Sequence, residues 1–189
     1  IKEDNQDDLD ENTLSYIKHI DEILLQMENL ISSILKYTKI DYEKSKKEDI
    51  DLNLLIQDIK KVVYIPKNIS LKIEHKLPIL HSEKTKVFQI FQNLIGNAVK
   101  YNNKEKGEIV ISFIEANSHY QFSIKDNGIG INEKYHSKIF EIFQSLETTK
   151  NSFGIGLSIV KKLVNSFHGE IWLESKENIG STFFFTIKK

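Results

Sequence analysis

Asp126-Asn127-Gly128-Ile129-Gly130-Ile131 closes an apolar/polar alternation over residues 120–125 that reads as a strand running into a core. A carboxylate at the end of a buried strand is destabilising unless something hydrogen-bonds it. The two glycines let the backbone take positive φ and let a ligand approach the main chain closely. Asp-Asn-Gly is also good chemistry for a plain strand-to-loop turn. By itself the stretch leaves both readings open.

The chain around it has 189 residues, enough for one medium domain plus an appended element. At 40% hydrophobic and 28% charged it has the composition of a globular protein with a sizeable core. Its 26 basic residues nearly balance 27 acidic ones, which speaks against a nucleic-acid binder. Every basic residue is lysine, so no arginine fork or finger comes from this chain, and phosphate contacts fall to Lys or backbone N–H. The absence of cysteine excludes disulfides, thiolate metal sites and Cys nucleophiles. No apolar run reaches the ~20 residues of a membrane span and no signal peptide is visible. The expectation is a soluble, cytoplasmic piece, whether or not the parent protein is membrane-anchored.

Upstream, Asp8-x-x-Glu11 suits a capping box for a helix starting near Leu9 or Asp10. From there Ile17, Ile20, Leu24, Met27, Ile31 and Ile34 follow 3-4 spacing, broadened by Ile23, Leu30 and Tyr37. With no Pro or Gly until beyond Asp41, this predicts a helix of roughly 30 residues, about 45 Å long. Its stripe is too wide to bury alone, so a bundle or dimer role is expected, against simple packing on its own domain. The charged stretch 42–49 reads as a solvated connector and places the boundary between residues 1–45 and 46–189.

The second segment alternates helices and strands. Asp51 caps a helix over 52–63, with Leu54, Leu55, Ile59 and Val62 on one face. Ile69-Leu71-Ile73 and the short run 78–81 read as strands, and Ser82 as the cap of a third helix carrying Val87, Phe88, Phe91, Leu94, Ile95 and Ala98. Two strands around 109–113 and 122–124 form a hairpin turning at Asn117-Ser118. A short helix over 133–143, a polar stretch over 144–152, a helix over 156–167 and a hairpin of 170–174 with 182–187 complete the chain. Hairpins mixed with helices imply an α+β fold, a largely antiparallel sheet with helices on one face, rather than a Rossmann fold.

Two of the few glycine sites stand out. Of eight glycines, Gly128 and Gly130 sit in the opening stretch, and Gly154 and Gly156 precede a helix. Loop–helix junctions of this kind suit a phosphate or nucleotide, because free N–H groups and the helix dipole favour anions. Neither GxxxxGK[ST] nor a GxGxxG after a strand is present. Asn93 and Asn97 lie one turn apart on the third helix, with Lys100 and Tyr101 continuing that face. An Asn carbonyl suits a hard cation such as Mg²⁺, and Lys100 suits a phosphate. A polar edge of an amphipathic helix explains the same residues.

Five motifs occur in order: Asn93-Leu94-Ile95-Gly96-Asn97-Ala98-Val99-Lys100-Tyr101, the stretch 126–131, Ile139-Phe140-Glu141-Ile142-Phe143, Gly154-Ile155-Gly156-Leu157, and Gly180-Ser181-Thr182. They resemble the N, G1, F, G2 and G3 boxes of sensor histidine kinases of the Bergerat (GHKL) ATP-binding superfamily. The leading helix resembles the second helix of the family's dimerisation and phosphotransfer hairpin. The motif 139–143 and the end Gly-Ser-Thr-Phe-Phe-Phe look most like phytochrome-related kinases.

The resemblance implies a two-layer α/β sandwich preceded by a long dimerisation helix, with ATP and Mg²⁺ as ligands. By it, Asp126 accepts a hydrogen bond from the adenine amino group, and Gly128, Gly130 and Ile131 leave room for the nucleotide. Asn97 ligates Mg²⁺ with Asn93 in support, and Lys100 and Tyr101 approach the phosphates. Residues 144–152 form the ATP lid, with Phe140 and Phe143 at its base, although core packing explains those aromatics equally well. Gly154, Ile155, Gly156 and Leu157 carry the phosphate-facing helix start, and Thr182 completes the site. ATPase and serine-kinase relatives carry a Glu general base where Asn93 stands. An amide accepts no proton at neutral pH, which favours transfer to an imidazole.

Two departures matter. Ser152 stands where the family commonly has the first glycine of the second box. No His lies in an acceptor box: His19 is followed by Ile20-Asp21-Glu22 with no Pro nearby, and the other five lack acceptor context. The expectation is therefore a histidine kinase catalytic part that phosphorylates an acceptor-helix segment not present here, in cis or in trans. A response regulator and a homodimer through the first helix are its implied partners. The alternative is a degenerate ATP-binding or dimerisation scaffold that relays conformation without catalysis.

Overall fold

The computed structural model describes residues 10–39, 46–144 and 154–189. Helix α1 (Glu11–Lys39) stands first. Asp10 caps it, its Oδ1 accepting the Thr13 N–H at 2.7 Å. The capping role expected of Asp8 falls to Asp10, and Asp8 itself lies outside the described residues. The body that follows runs β1 (Glu48–Asp51), α2 (Leu52–Val62), β2 (Ile69–Ile73), β3 (Ile79–Ser82), α3 (Lys84–Lys100), β4 (Gly107–Glu115), β5 (His119–Asp126), α4 (Gly156–Ser166), β6 (Ile171–Lys176) and β7 (Gly180–Lys188).

Five strands form one sheet in the order β2-β4-β5-β7-β6. The β2–β4 ladder is parallel and the other three are antiparallel. Parallel neighbours need a crossover, and β3 with α3 provides it. Strand β1, which the sequence did not suggest, pairs with β3 as a separate two-stranded ribbon. This is the expected α+β sheet with its helices on one face.

Alternation decides which side chains enter the core. On β5, Phe122, Ile124 and Asp126 point inward, while Ser123 and Lys125 face the other way. Phe91 of α3 meets Phe122 and Phe185 edge-on at 5.5 and 5.3 Å between ring centres, and those two stack at 5.2 Å. All three rings are fully buried and tie α3 to the two central strands. Asp126 rides on the same inward face, so its position follows from the aromatic core beneath it.

Several local expectations change. Asp51 does cap α2, accepting from the Asn53 and Leu54 N–H groups at 2.8 and 3.4 Å. The buried face of α2 is Leu52, Leu55, Ile56 and Ile59; Leu54 and Val62 are exposed, because the helical phase is set by Leu52. Ser82 belongs to β3, opposite Glu48, and α3 starts after Glu83 without a side-chain cap. The helix expected over 133–143 is a 3₁₀ turn, Glu133–Tyr135, followed by further turns. Ile139 and Phe140 in these turns are both buried.

On α1, Leu30 and Tyr37 pack against the core, and the Lys162 ammonium donates to the Tyr37 carbonyl at 3.0 Å while lying 4.3 Å from its ring centre. The seam residues Ile20, Leu24, Met27, Ile31 and Ile34 stay exposed. His19 is an exposed helix residue, 3.8 Å from Glu22. Among the described residues, no helix is long and apolar enough to cross a membrane.

Candidate nucleotide site

A cavity opens where the C-terminal part of α3, the turn after β5, the start of α4 and β7 converge. Helix α3 lends it Asn97 and Ala98, and its C-cap Tyr101 continues the same face. The turn contributes Asp126, Ile129, Gly130 and Ile131, and β7 adds Ser181 and Phe183. Ile139, Gln144, Gly154, Gly156 and Leu157 complete the wall. Apolar lining and a few polar groups thus share one concave space.

Asp126 is the charged group at its floor, only 8% exposed. Its Oδ1 accepts the Gly128 N–H at 2.8 Å, and the Ser181 backbone N–H, across the β5–β7 ladder, also points to the carboxylate. The backbone therefore supplies part of the hydrogen bonding that burial demands. Burial nevertheless pushes the carboxyl above the usual aspartate range, against the lowering effect of those two N–H groups. A partly satisfied, buried carboxylate on a cavity wall is a strong acceptor for an amine donor.

The glycines do more for the chain itself than for ligand access. A Cβ on Gly128 would collide with the Tyr101 carbonyl oxygen, and Gly128 does not line the cavity. Gly130, at φ +67°, lines the cavity and backs onto the Lys176 carbonyl. The Ile129 N–H donates to the same Tyr101 carbonyl at 3.0 Å. Both glycines are needed where the turn passes between the end of α3 and the β6–β7 hairpin.

Lys100 is exposed and does not line the cavity; its ammonium lies 5.4 Å from the Tyr101 ring centre at the rim. Asn93 is half-buried rather than enclosed, donates to the Gln89 carbonyl at 2.8 Å, and abuts the first residue of α4, outside the cavity. Phe140 is a core side chain, edge-on to Phe183 at 6.4 Å. Phe143 is exposed, with φ 66°, and its N–H donates to the Gly154 carbonyl at 3.1 Å. That bond closes the base of segment 145–153, which holds Ser152 and nearly all of the expected lid and lies outside the described residues. Ile155 is buried under α4.

Ser181, not Thr182, stands on the cavity wall. Side chains alternate along β7, so the residue sharing the inward face with Phe183 and Phe185 is Ser181, and Thr182 turns to the other face. Alternation counted back from Phe183 would have found it. Ala98 was legible as a helical neighbour of Asn97; Ile139 lies in the segment expected as a helix that folds as turns, and Gln144 at the first position of the expected lid.

Among the described residues, no group of three or more His, Asp or Glu side chains could cage a metal. Asn97 offers one hard amide oxygen on the cavity wall. That donor set fits Mg²⁺ in the form it commonly takes, with one protein ligand and the remainder supplied by phosphates and water.

A family model described as histidine kinase-, DNA gyrase B- and HSP90-like ATPase matches residues 82–189. Cyanobacterial phytochrome A of Nostoc sp. is 36% identical over 193 residues, covering 96% of this chain and 24% of that protein. The chain spans about a quarter of the length of the first curated relatives it matches. Full-length ShkA, solved in complex with AMPPNP, aligns with a TM-score of 0.74 at 22% identity, over 97% of this chain and 40% of that one. At that identity the likeness speaks for the fold alone. Histidine kinase ThkA, solved in complex with the response regulator protein TrrA, aligns with a TM-score of 0.67 at 26% identity, over 98% of this chain and 54% of that one. With the family model covering more than half of its length, the chain belongs to the histidine kinase-, DNA gyrase B- and HSP90-like ATPase family.

Proposed function

We propose that this chain is the ATP-binding catalytic part of a two-component sensor histidine kinase. The observation that carries this is the convergence, in one cavity, of a buried carboxylate (Asp126), an amide oxygen (Asn97) and the start of a helix (Gly156, Leu157). Asp126 accepts from the adenine amino group, whose ring lies against Ile129, Ile131, Ile139 and Phe183. The first turn of α4 turns its N–H groups to the phosphates. Asn97 holds Mg²⁺, which when bound neutralises phosphate charge; Lys100 and Tyr101 at the rim meet the phosphate end. No Glu among the described residues lines the cavity, and Asn93, standing where a base would be, suits transfer to an imidazole that is already nucleophilic.

The γ-phosphoryl then passes to a histidine in an acceptor box, a context none of the six His of this sequence provides. The exposed seam of α1 supports a helical bundle or homodimer that brings such an acceptor to the site. A response regulator is the onward partner, in keeping with the complex in which ThkA was solved with the response regulator protein TrrA. The test is incubation with γ-labelled ATP and a separate segment carrying an acceptor box. Acid-labile, base-stable label on that segment is expected. ATP binding with no transfer to a competent acceptor overturns the kinase reading and leaves a scaffold that holds nucleotide.

A further inference from the structure

Asn127 and Asn102 do not line the cavity, yet they join its two ends. Asn127 follows Asp126 directly, and Asn102 follows Tyr101, the C-cap of α3, the helix that bears Asn97. The last residue pair of the β4–β5 ladder is Ile109 with Asp126. Asn127 extends that ladder by one step: its N–H donates to the Glu108 carbonyl at 3.2 Å, and its Oδ1 accepts the Glu108 N–H at 2.7 Å. The same Oδ1 accepts from Asn102 Nδ2 at 2.9 Å, and Asn127 Nδ2 donates to the Lys106 carbonyl at 2.9 Å. Asn102 Oδ1 in turn accepts the Lys104 N–H at 3.1 Å.

We propose that Asn127 and Asn102 are a positioning pair that fixes the adenine-reading carboxylate relative to the phosphate end of the site. The proposal rests on the ATP reading above and adds two residues that touch no part of the nucleotide. Asn127 needs an acceptor for two donors and a donor for one carbonyl on a short side chain, which only an amide supplies. Aspartate would turn an oxygen toward the Lys106 carbonyl, and Ser would not reach. A ligand held at both ends gains most affinity when the spacing is preset, because less free energy then goes into ordering the site.

Removing the pair should therefore loosen the spacing of the two ends, which the Ile129 N–H to Tyr101 carbonyl bond still joins, while leaving each intact. Asp126 keeps its ladder contacts with Ile109 and Ser181 and its bond from Gly128. The experiment is amide NMR titration of wild type, N127A and N102A with ADP and with adenosine, which lacks the phosphate end. The expected result for N127A is adenosine affinity within about twofold of wild type and ADP affinity lower by about tenfold. N102A, which removes one bond of the network, should show a smaller split of the same sign and serves as the test if N127A does not fold. Equal losses for both ligands, or no loss for either, overturn the positioning role; a lowered thermal midpoint with unchanged affinities does the same. Failure of wild type to bind ADP at the cavity overturns the ATP reading itself, and is seen before any variant is made.

Discussion

Asp126→Asn separates the carboxylate's cost to the fold from its use to the site. The exchange keeps shape and keeps an oxygen to accept the Gly128 N–H at 2.8 Å, but removes the charge and places an NH₂ on the other position. An amine bonded to a charged acceptor contributes roughly 1.5–3 kcal/mol, so losing it weakens ATP by about 10- to 150-fold, with an amide donor now facing an amine donor. Stability should move the other way. Burial raises the folded carboxyl above its unfolded value, so the native state binds more protons between the two. Wild-type stability therefore falls as pH rises from the unfolded aspartate range through the raised native one, and the full penalty persists above it. Asp126→Asn lacks this penalty, so its thermal midpoint should exceed the wild type's at neutral pH, with the gap closing in acid. Calorimetric titration with ATP and thermal unfolding from pH 4 to 8 read both effects. Unchanged ATP affinity would refute the role of the carboxylate, and a lower midpoint at neutral pH would refute the account of its burial.

Asn97→Ala should reduce ATP affinity in Mg²⁺ to the level measured with chelator, while adenosine binds as before; calorimetry with and without Mg²⁺ checks this. Gly130→Ala places a methyl against the Lys176 carbonyl at a positive φ and should cost about 2 kcal/mol, read by denaturant unfolding. Leu24→Lys with Ile31→Lys, both on the exposed seam of α1, should lower any self-association seen by sedimentation velocity without changing ATP affinity.

Much of this was legible in the residues, for physical reasons that differ by element. The inward phase of β5 was set by Phe122 and Ile124, and it carried Asp126 to the cavity floor without further information. Helical spacing on α3 placed Asn97 and Tyr101 on one face, but spacing alone could not say where α4 would dock. Asn93 consequently lies against α4 rather than in the cavity, and Lys100 sits at the rim. The glycines marked the right turn for a different reason: Gly128 answers to the Tyr101 carbonyl, a neighbour 27 positions back that no local pattern reveals. Strand β1 escaped notice because Glu48-Asp49-Ile50-Asp51 has a single apolar residue, and its partner β3 supplies the pairing. The segment around Ile139 and Phe140 has aromatic spacing fit for a helix, yet folds as turns that bury two adjacent side chains. The Asn127 network was invisible for the same reason as Gly128: its partners at 102, 106 and 108 meet it only in the fold.

The central claim is that one cavity reads adenine at Asp126 and phosphate at Asn97 and the start of α4. Amide shift mapping of the wild-type chain during titration with Mg²⁺·ATP tests it most directly. Saturable shifts are predicted at Asn97, Tyr101, Asp126 to Ile131, Gly156, Leu157 and Ser181, and adenosine should reproduce only those around Asp126 and Ser181. Saturation at millimolar ATP with shifts elsewhere, or no saturable shift at all, would contradict it.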